Sequence, residues 1–259
     1  MTFEGLDISI LGPAMVAGLI VLSTHVPLGR QVLARGIIFI DLAIAQIAAL
    51  GVIAAQYLGV DDQGFGVQIA AGVAALAGAG LLAWTDRRWP KMQEPFIGTL
   101  FVLAATGGLL LLANNPQGGE HLKDLLVGQI LWVSYRHLIP AALLSAVLLV
   151  LLWLRQGRLA GLVFYALFAV AITVSVQLIG VYLVFASLIV PALATSGMTP
   201  RRQLVAAYAV GVCGYISGLL LSAIFDLPSG ALIVWTLAVC ALLAQLLPAM
   251  RTPSEGRQG

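Results

Sequence analysis

Residues 36–58, GIIFIDLAIAQIAALGVIAAQYL, place one carboxylate, Asp41, inside an otherwise apolar run. At ~1.5 Å per residue the run is long enough to cross a hydrocarbon core ~30 Å thick. An acid in such a span costs ~2.5–3.5 kcal/mol on insertion scales unless it faces protein or a wet cavity. Asp41 is therefore a candidate functional residue, and holding a cation is chemistry that a lone carboxylate can do.

Two other polar residues belong to the same question. His25 lies near the inner end of the preceding apolar run, 8–28, and the connection to 36–58 is short. Consecutive helices joined so briefly are expected to be antiparallel neighbours, which would set His25 and Asp41 at similar depth. The two side chains would then share a divalent cation or hydrogen-bond each other. A nitrogen and oxygen set without sulfur suits Zn²⁺ or Mn²⁺ better than Cu⁺. Gln46 offers a neutral carbonyl oxygen five positions beyond Asp41. That spacing is ~140° around a helix, so Gln46 either lines a path beside Asp41 or bonds a neighbouring helix. His121 and His137 stand in a polar loop, where they would catch an arriving ion or do nothing specific.

The elements that must position these residues follow from composition. Of 259 residues 61% are apolar and 9% charged, and the mean hydropathy is +1.03. Soluble proteins carry roughly 25% charged residues, so the chain is expected to be an all-α, polytopic membrane protein. The acidic start MTFEGLDIS has no basic flank, so the apolar run after it reads as a retained helix rather than a signal peptide. Nine apolar segments can be drawn, at 8–28, 36–58, 67–84, 95–113, 138–154, 160–178, 180–197, 203–224 and 230–250. They form one transmembrane domain over 1–250, followed by a short tail over 251–259. Only residues 177–180 part the sixth and seventh, which could be one kinked helix or a broken pair.

Basic residues test the count. With the N-terminus outside, eleven of the thirteen Lys and Arg fall in cytoplasmic pieces, leaving Lys123 and Arg136 outside. That is a strong positive-inside bias, and it puts the C-terminus in the cytoplasm. Merging the sixth and seventh segments would move Arg201, Arg202, Arg251 and Arg257 to the wrong side, so nine spans are expected. The net charge of +2 then serves topology and gives no sign of nucleic acid.

Smaller features are architectural. The outer loop 114–137 has an apolar tail, 122–133, too short to span and suited to the membrane interface. Trp84, Trp89 and Trp153 stand near span ends. Ala70, Ala74 and Gly78 make a small-residue stripe for close helix contact. Pro191 falls late in its span, and Asp226 is expected to cap the ninth helix. Cys213 and Cys240 lie in apolar spans with no paired spacing. There is no P-loop and the chain has only two lysines, so ATP hydrolysis would need a separate chain. No zinc-protease motif or nucleophile elbow occurs either, so no enzyme constellation is present.

Four strings, in order along most of the chain, resemble one family. They are LGRQVLARGIIFIDLAIAQIAALG (28–51), LKDLLVGQILWV (122–133), IGVYLVFASLIVPALA (179–194) and FDLPSGALIV (225–234). The chain resembles the ABC-3 metal permeases, membrane subunits of ABC transporters for zinc, manganese or iron(II). The resemblance implies a bacterial inner-membrane permease that forms a homodimer and docks cytoplasmic ATP-binding subunits. It also implies an extracytoplasmic metal-binding protein that delivers the ion, with metal as cargo and no permanent cofactor. Asp41 matches the Asp of the family's G-D-x-x-x-H motif and is implied as a metal contact, with His25 and Gln46 nearby. The chain departs from the motif at Ala45, where the His would stand. It departs again at 155–159, which replaces a longer cytoplasmic coupling segment, so an ATPase would dock on 86–94 or 198–202. The short turn also leaves open an ATPase-independent carrier or accessory subunit, or a structural protein with Asp41 as a buried lock.

Overall fold

Within hydrocarbon no water satisfies the backbone, so apolar spans fold into helices that bond their own N–H and C=O groups. The computed structural model describes residues 8–60, 65–113, 126–128, 130–154 and 161–246. Among these residues nine α-helices follow one another, and there is no strand. They are α1 (Ile8–Arg35), α2 (Ile40–Tyr57), α3 (Phe65–Arg88), α4 (Gln93–Leu112), α5 (Tyr135–Leu154), α6 (Gly161–Ile179), α7 (Val181–Ala194), α8 (Pro200–Phe225) and α9 (Ser229–Leu246). Seven are long and apolar enough to cross a membrane, while Leu138–Leu154 and Val181–Ala194 are shorter apolar helices. The loop residues 114–125 with His121, the turn 155–160, the tail 247–259 and the His137 side chain lie outside the described residues.

Two groups of helices make the bundle. In the first, α2 packs on α3 and α4, and α3 packs on α6. Small residues set these contacts: the Ala70, Ala74 and Gly78 stripe meets Gly51 and Ile47 of α2. A Cβ on Gly51 would lie 2.6 Å from that of Ala74, which is closer than real side chains approach. In the second group, α8 and α9 form a hairpin, and α1 packs on α5, α7 and α8. Gly214 and Gly218 of α8 admit Leu237 and Ile233 of α9, and the Thr236 hydroxyl donates to the Gly214 carbonyl at 2.7 Å. Along α1, Gly18, Leu22 and Gly29 face Tyr215, Gly211 and Leu188 with Ala192. The Tyr208 hydroxyl donates to the Ser23 carbonyl at 2.8 Å, and Arg30 Nε to Gln203 Oε1 at 2.8 Å.

The sixth and seventh segments are separate helices. Gly161, at the start of α6, lies beside the Arg87 guanidinium, and Gly180, just past its end, lies against Gly128. From there α7 turns back, so that Leu188 and Ala192 reach Gly29 of α1. Gly180 has φ 79° and ψ 163°, a conformation essentially reserved for glycine. A Cβ there would lie 2.6 Å from Gly128 Cα, and one on Gly230 would lie 2.9 Å from the Val127 carbonyl oxygen. The strings 122–133, 179–194 and 225–234 therefore meet backbone to backbone.

The opposite end gathers the arginines. Arg35 lies over the Phe164 ring, 3.7 Å from its centroid, with Tyr165 and Asp86 close by. Gln93 Nε2 donates to the Leu82 carbonyl at 2.9 Å and to the Tyr165 hydroxyl at 3.1 Å, while Thr85 donates to Gln93 Oε1 at 2.9 Å. These bonds tie the ends of α3, α4 and α6. Trp84, Trp89 and Phe96 form an aromatic cluster at the same end, with the two tryptophans exposed and their centroids 5.3 Å apart.

Two local expectations are corrected. α1 continues past 28, through Pro27, to Arg35. Asp226 closes α8 instead of opening α9: it takes a left-handed conformation, φ 52°, and its N–H bonds the Ser222 carbonyl. A chain leaving a helix sharply needs that conformation at the cap, and Asp tolerates it better than most residues.

Gly180→Ala is expected to cost ~1–3 kcal/mol from backbone strain, plus the clash with Gly128. Gly72, with open space around it, is the matched control. Thermal unfolding in detergent should show a clearly lower Tm for Gly180→Ala and little change for Gly72→Ala; equal values would refute the junction.

Candidate functional site

Asp41 sits in the first turn of α2 and is 1% exposed. Neither carboxylate oxygen has a hydrogen-bond partner of ordinary geometry. The N-terminus of a helix is a favourable place for a carboxylate, because its free N–H groups carry partial positive charge. That explains how the residue is tolerated. It leaves two buried acceptor oxygens free, and a buried polar atom without a partner is expensive.

His25 is fully buried on α1, on the same stripe as Gly18, Leu22 and Gly29. Its Nδ1 is 3.0 Å from the Val21 carbonyl oxygen and 3.2 Å from Thr24 Oγ1, so Nδ1 is the donating nitrogen in the tautomer that satisfies the carbonyl. Nε2 has no partner. The expected neighbourhood with Asp41 is not formed. Consecutive helices α1 and α2 do not pack as a pair: α1 joins α5, α7 and α8, whereas α2 joins α3 and α4. The added turns of α1 also leave His25 ~15 Å along the axis from its end, while Asp41 is at the start of α2. No hydrogen bond links them: neither the Asp41 carboxylate oxygens nor His25 Nε2 has a side-chain partner.

Gln46 is 6% exposed and reaches a cavity of about 590 Å³ between the two helix groups. Leu42 and Gln46 of α2, Phe101 of α4, Phe185 and Val190 of α7, and Trp235 of α9 are among its lining residues. Gln46 is the one amide in an otherwise apolar and aromatic wall. Asp41 does not line it. The three candidate residues thus stand in three places: one at the start of α2, one facing the cavity, one within the α1 interface. Among the described residues no group of three or more His, Cys, Asp or Glu could hold a metal ion.

Sequence reasoning passed over Glu94 as a site residue. It lies in the first turn of α4, and its Oε1 accepts the Phe39 N–H at 3.3 Å, two residues before Asp41. Glu94 Oε2 is buried without a partner, and the residue is close enough to Asp41 to repel it. Only the α2–α4 packing brings the two acids together; their separation in sequence hides it. The Phe39 ring stacks on Phe185 of α7 with centroids 6.3 Å apart, joining this corner to the second helix group.

Comparison with known proteins bears on the fold and the family. The model of the ABC 3 transport family matches residues 7–164 and 156–247. A probable iron transport system membrane protein of Haemophilus influenzae is 30% identical over 156 residues, 52% of this chain and 58% of that protein. The manganese transport system membrane protein MntC of Halalkalibacterium halodurans is 26% identical over 92% of this chain and 87% of its own length. The solved structure of PsaBC from Streptococcus pneumoniae in complex with Fab superposes with a TM-score of 0.75, covering 97% of this chain and 98% of that one at 20% identity. The fold is thus shared end to end, and the chain belongs to the ABC 3 transport family.

Proposed function

We propose that the chain is the membrane-spanning permease subunit of an ABC transporter that moves a divalent metal ion, zinc or manganese, across the cytoplasmic membrane of a bacterium. The observation that carries this reading is the Asp41 carboxylate, buried in α2 with both oxygens free. A cation is the ligand that relieves such a group, and transport is the work of the family. Gln46 lines the path through the cavity, and His25, buried apart from it in the α1 interface with a free Nε2, is a further contact for the ion. The names of the iron and manganese relatives favour a metal as cargo. The arginine end faces the cytoplasm on the positive-inside rule, and the N-terminus lies outside.

In this reading the chain acts as a homodimer with a cytoplasmic ATP-binding subunit and an extracytoplasmic metal-binding protein. Motion of the helix group α2–α4 and α6 against α1 and α7–α9, across the cavity between them, would alternate access. Transporter folds often rock two bundles about a midplane site in this way. One observation favours a second reading, an ATPase-independent carrier on the same scaffold: only 155–160 separate α5 from α6. A link of that length leaves little chain for an ATPase to grip.

Asp41→Asn removes the charge with little change of shape. Uptake of radiolabelled manganese or zinc should fall to background in cells that hold the variant at wild-type levels in the membrane; unchanged uptake would make Asp41 a structural residue. Purification of the tagged chain in mild detergent from its native host should bring down an ATP-binding subunit, whereas recovery of the chain alone with metal transport intact would select the carrier.

A further inference from the structure

The site around Asp41 contains a second acid whose geometry has two explanations. Glu94 Oε1 accepts the Phe39 N–H, so Glu94 serves as a cap borrowed from α4 for an N-terminus that lacks a side-chain cap of its own. A cap needs one acceptor oxygen and no charge. The other oxygen, Oε2, is buried with no partner, and beside it Asp41 holds two more buried acceptors with no partner. The Phe39 bond brings Glu94 to the start of α2, where two acids hold three buried oxygens without partners and repel one another. No cationic side chain bonds Asp41 among the described residues. Arg35, at the same end of the bundle, is engaged with Phe164 and stands by Tyr165 and Asp86. Asp41 alone, 1% exposed and unpartnered on a different helix, already points to a ligand; Glu94 supplies the second donor.

Resting on the reading of the chain as a metal permease, we propose that Glu94 is a cation contact that works with Asp41, forming a two-carboxylate subsite between the first turns of α2 and α4. This pairing stands where the sequence has no imidazole, because the residue one turn after Asp41 is Ala45. The subsite therefore offers carboxylate oxygen alone. Such a donor set suits hard divalent ions such as Mn²⁺, which retain several waters, and gives no advantage to Zn²⁺, which is served better by nitrogen and sulfur. Two protein ligands completed by water also fit the absence of any larger group of ligating side chains among the described residues. Glu94 is half-buried where Asp41 is enclosed, so an ion held by Asp41 meets Glu94 on its way out at the arginine end.

Glu94→Gln separates the two explanations, because glutamine keeps a carbonyl oxygen for the Phe39 N–H and loses only the charge. Full-length protein with its partner subunits, in the native host, is assayed for uptake of Mn²⁺ and of Zn²⁺. Glu94→Gln should lower Mn²⁺ uptake at least ~10-fold, the scale on which metal sites respond to loss of a supporting group, and lower Zn²⁺ uptake less. Glu94→His should move the preference toward Zn²⁺. Membrane levels and detergent Tm near wild type for Glu94→Gln exclude a folding defect as the cause. If Glu94→Gln transports like wild type while Asp41→Asn is inactive, Glu94 is only a cap and the inference is wrong, with the permease reading intact. Equal losses for both metals overturn the oxygen-only selectivity, wild-type uptake in both Asp41→Asn and Glu94→Gln overturns the two-carboxylate subsite, and the absence of any metal uptake that depends on the wild-type chain overturns the permease reading itself.

Discussion

Lipid tails are as apolar as leucine, so helices in a membrane gain little from burying apolar surface against one another. What holds them is close van der Waals approach, together with the few polar groups that find partners across an interface. The bundle depends on this constraint at nearly every contact. Gly51 against Ala74, Gly18 against Tyr215, Gly214 against Leu237 and Gly128 against Gly180 are all places where a side chain on the glycine would separate two helices. The last pair is the most demanding. There the α6–α7 reversal, the residues before Ile130 and the start of α9 touch through their backbones, and Gly180 supplies a conformation other residues avoid.

Polar side chains are distributed by the same logic. Most of those buried among the helices are spent on structure: Thr236 on the α8–α9 hairpin, Tyr208 and Gln203 on the α1–α8 pair, Gln93 and Tyr165 on the arginine end. Each satisfies a donor or acceptor that would otherwise be stranded in a medium without water. Against that background Asp41, His25, Glu94 and Thr173 are exceptions among the described residues, each with a polar side-chain atom buried and unused. Asp41 lies at the start of α2, whereas His25 lies well inside α1. The apolar cavity beside Gln46 separates the two helix groups.

Much of the architecture was legible in the chain. The nine apolar runs correspond to nine helices, and the charge argument for keeping the sixth and seventh apart agrees with the reversal at Gly180. The Ala70, Ala74 and Gly78 stripe does meet another helix closely. The site was much less legible. Asp41 stood out because a charge in an apolar span is conspicuous, but its neighbour was misjudged. A short link suggested that α1 and α2 would pack together, whereas α1 runs on to Arg35 and joins α5, α7 and α8. Glu94 was read only as part of the docking surface 86–94, for the opposite reason: it follows a basic, Pro-containing turn, where an acid looks like an ordinary interfacial residue.

The sequence by itself determined the membrane class, the number of helices and the presence of one costly carboxylate. These follow from hydropathy, rise per residue and the price of a charge in hydrocarbon, all of which are local properties of the chain. Only the tertiary structure decided which groups share a neighbourhood: His25 is apart from Asp41, Gln46 faces a cavity, and Glu94 comes within reach of Asp41. Helix partners in a bilayer are selected by the fit of small residues across an interface, and that fit is made between segments far apart in sequence.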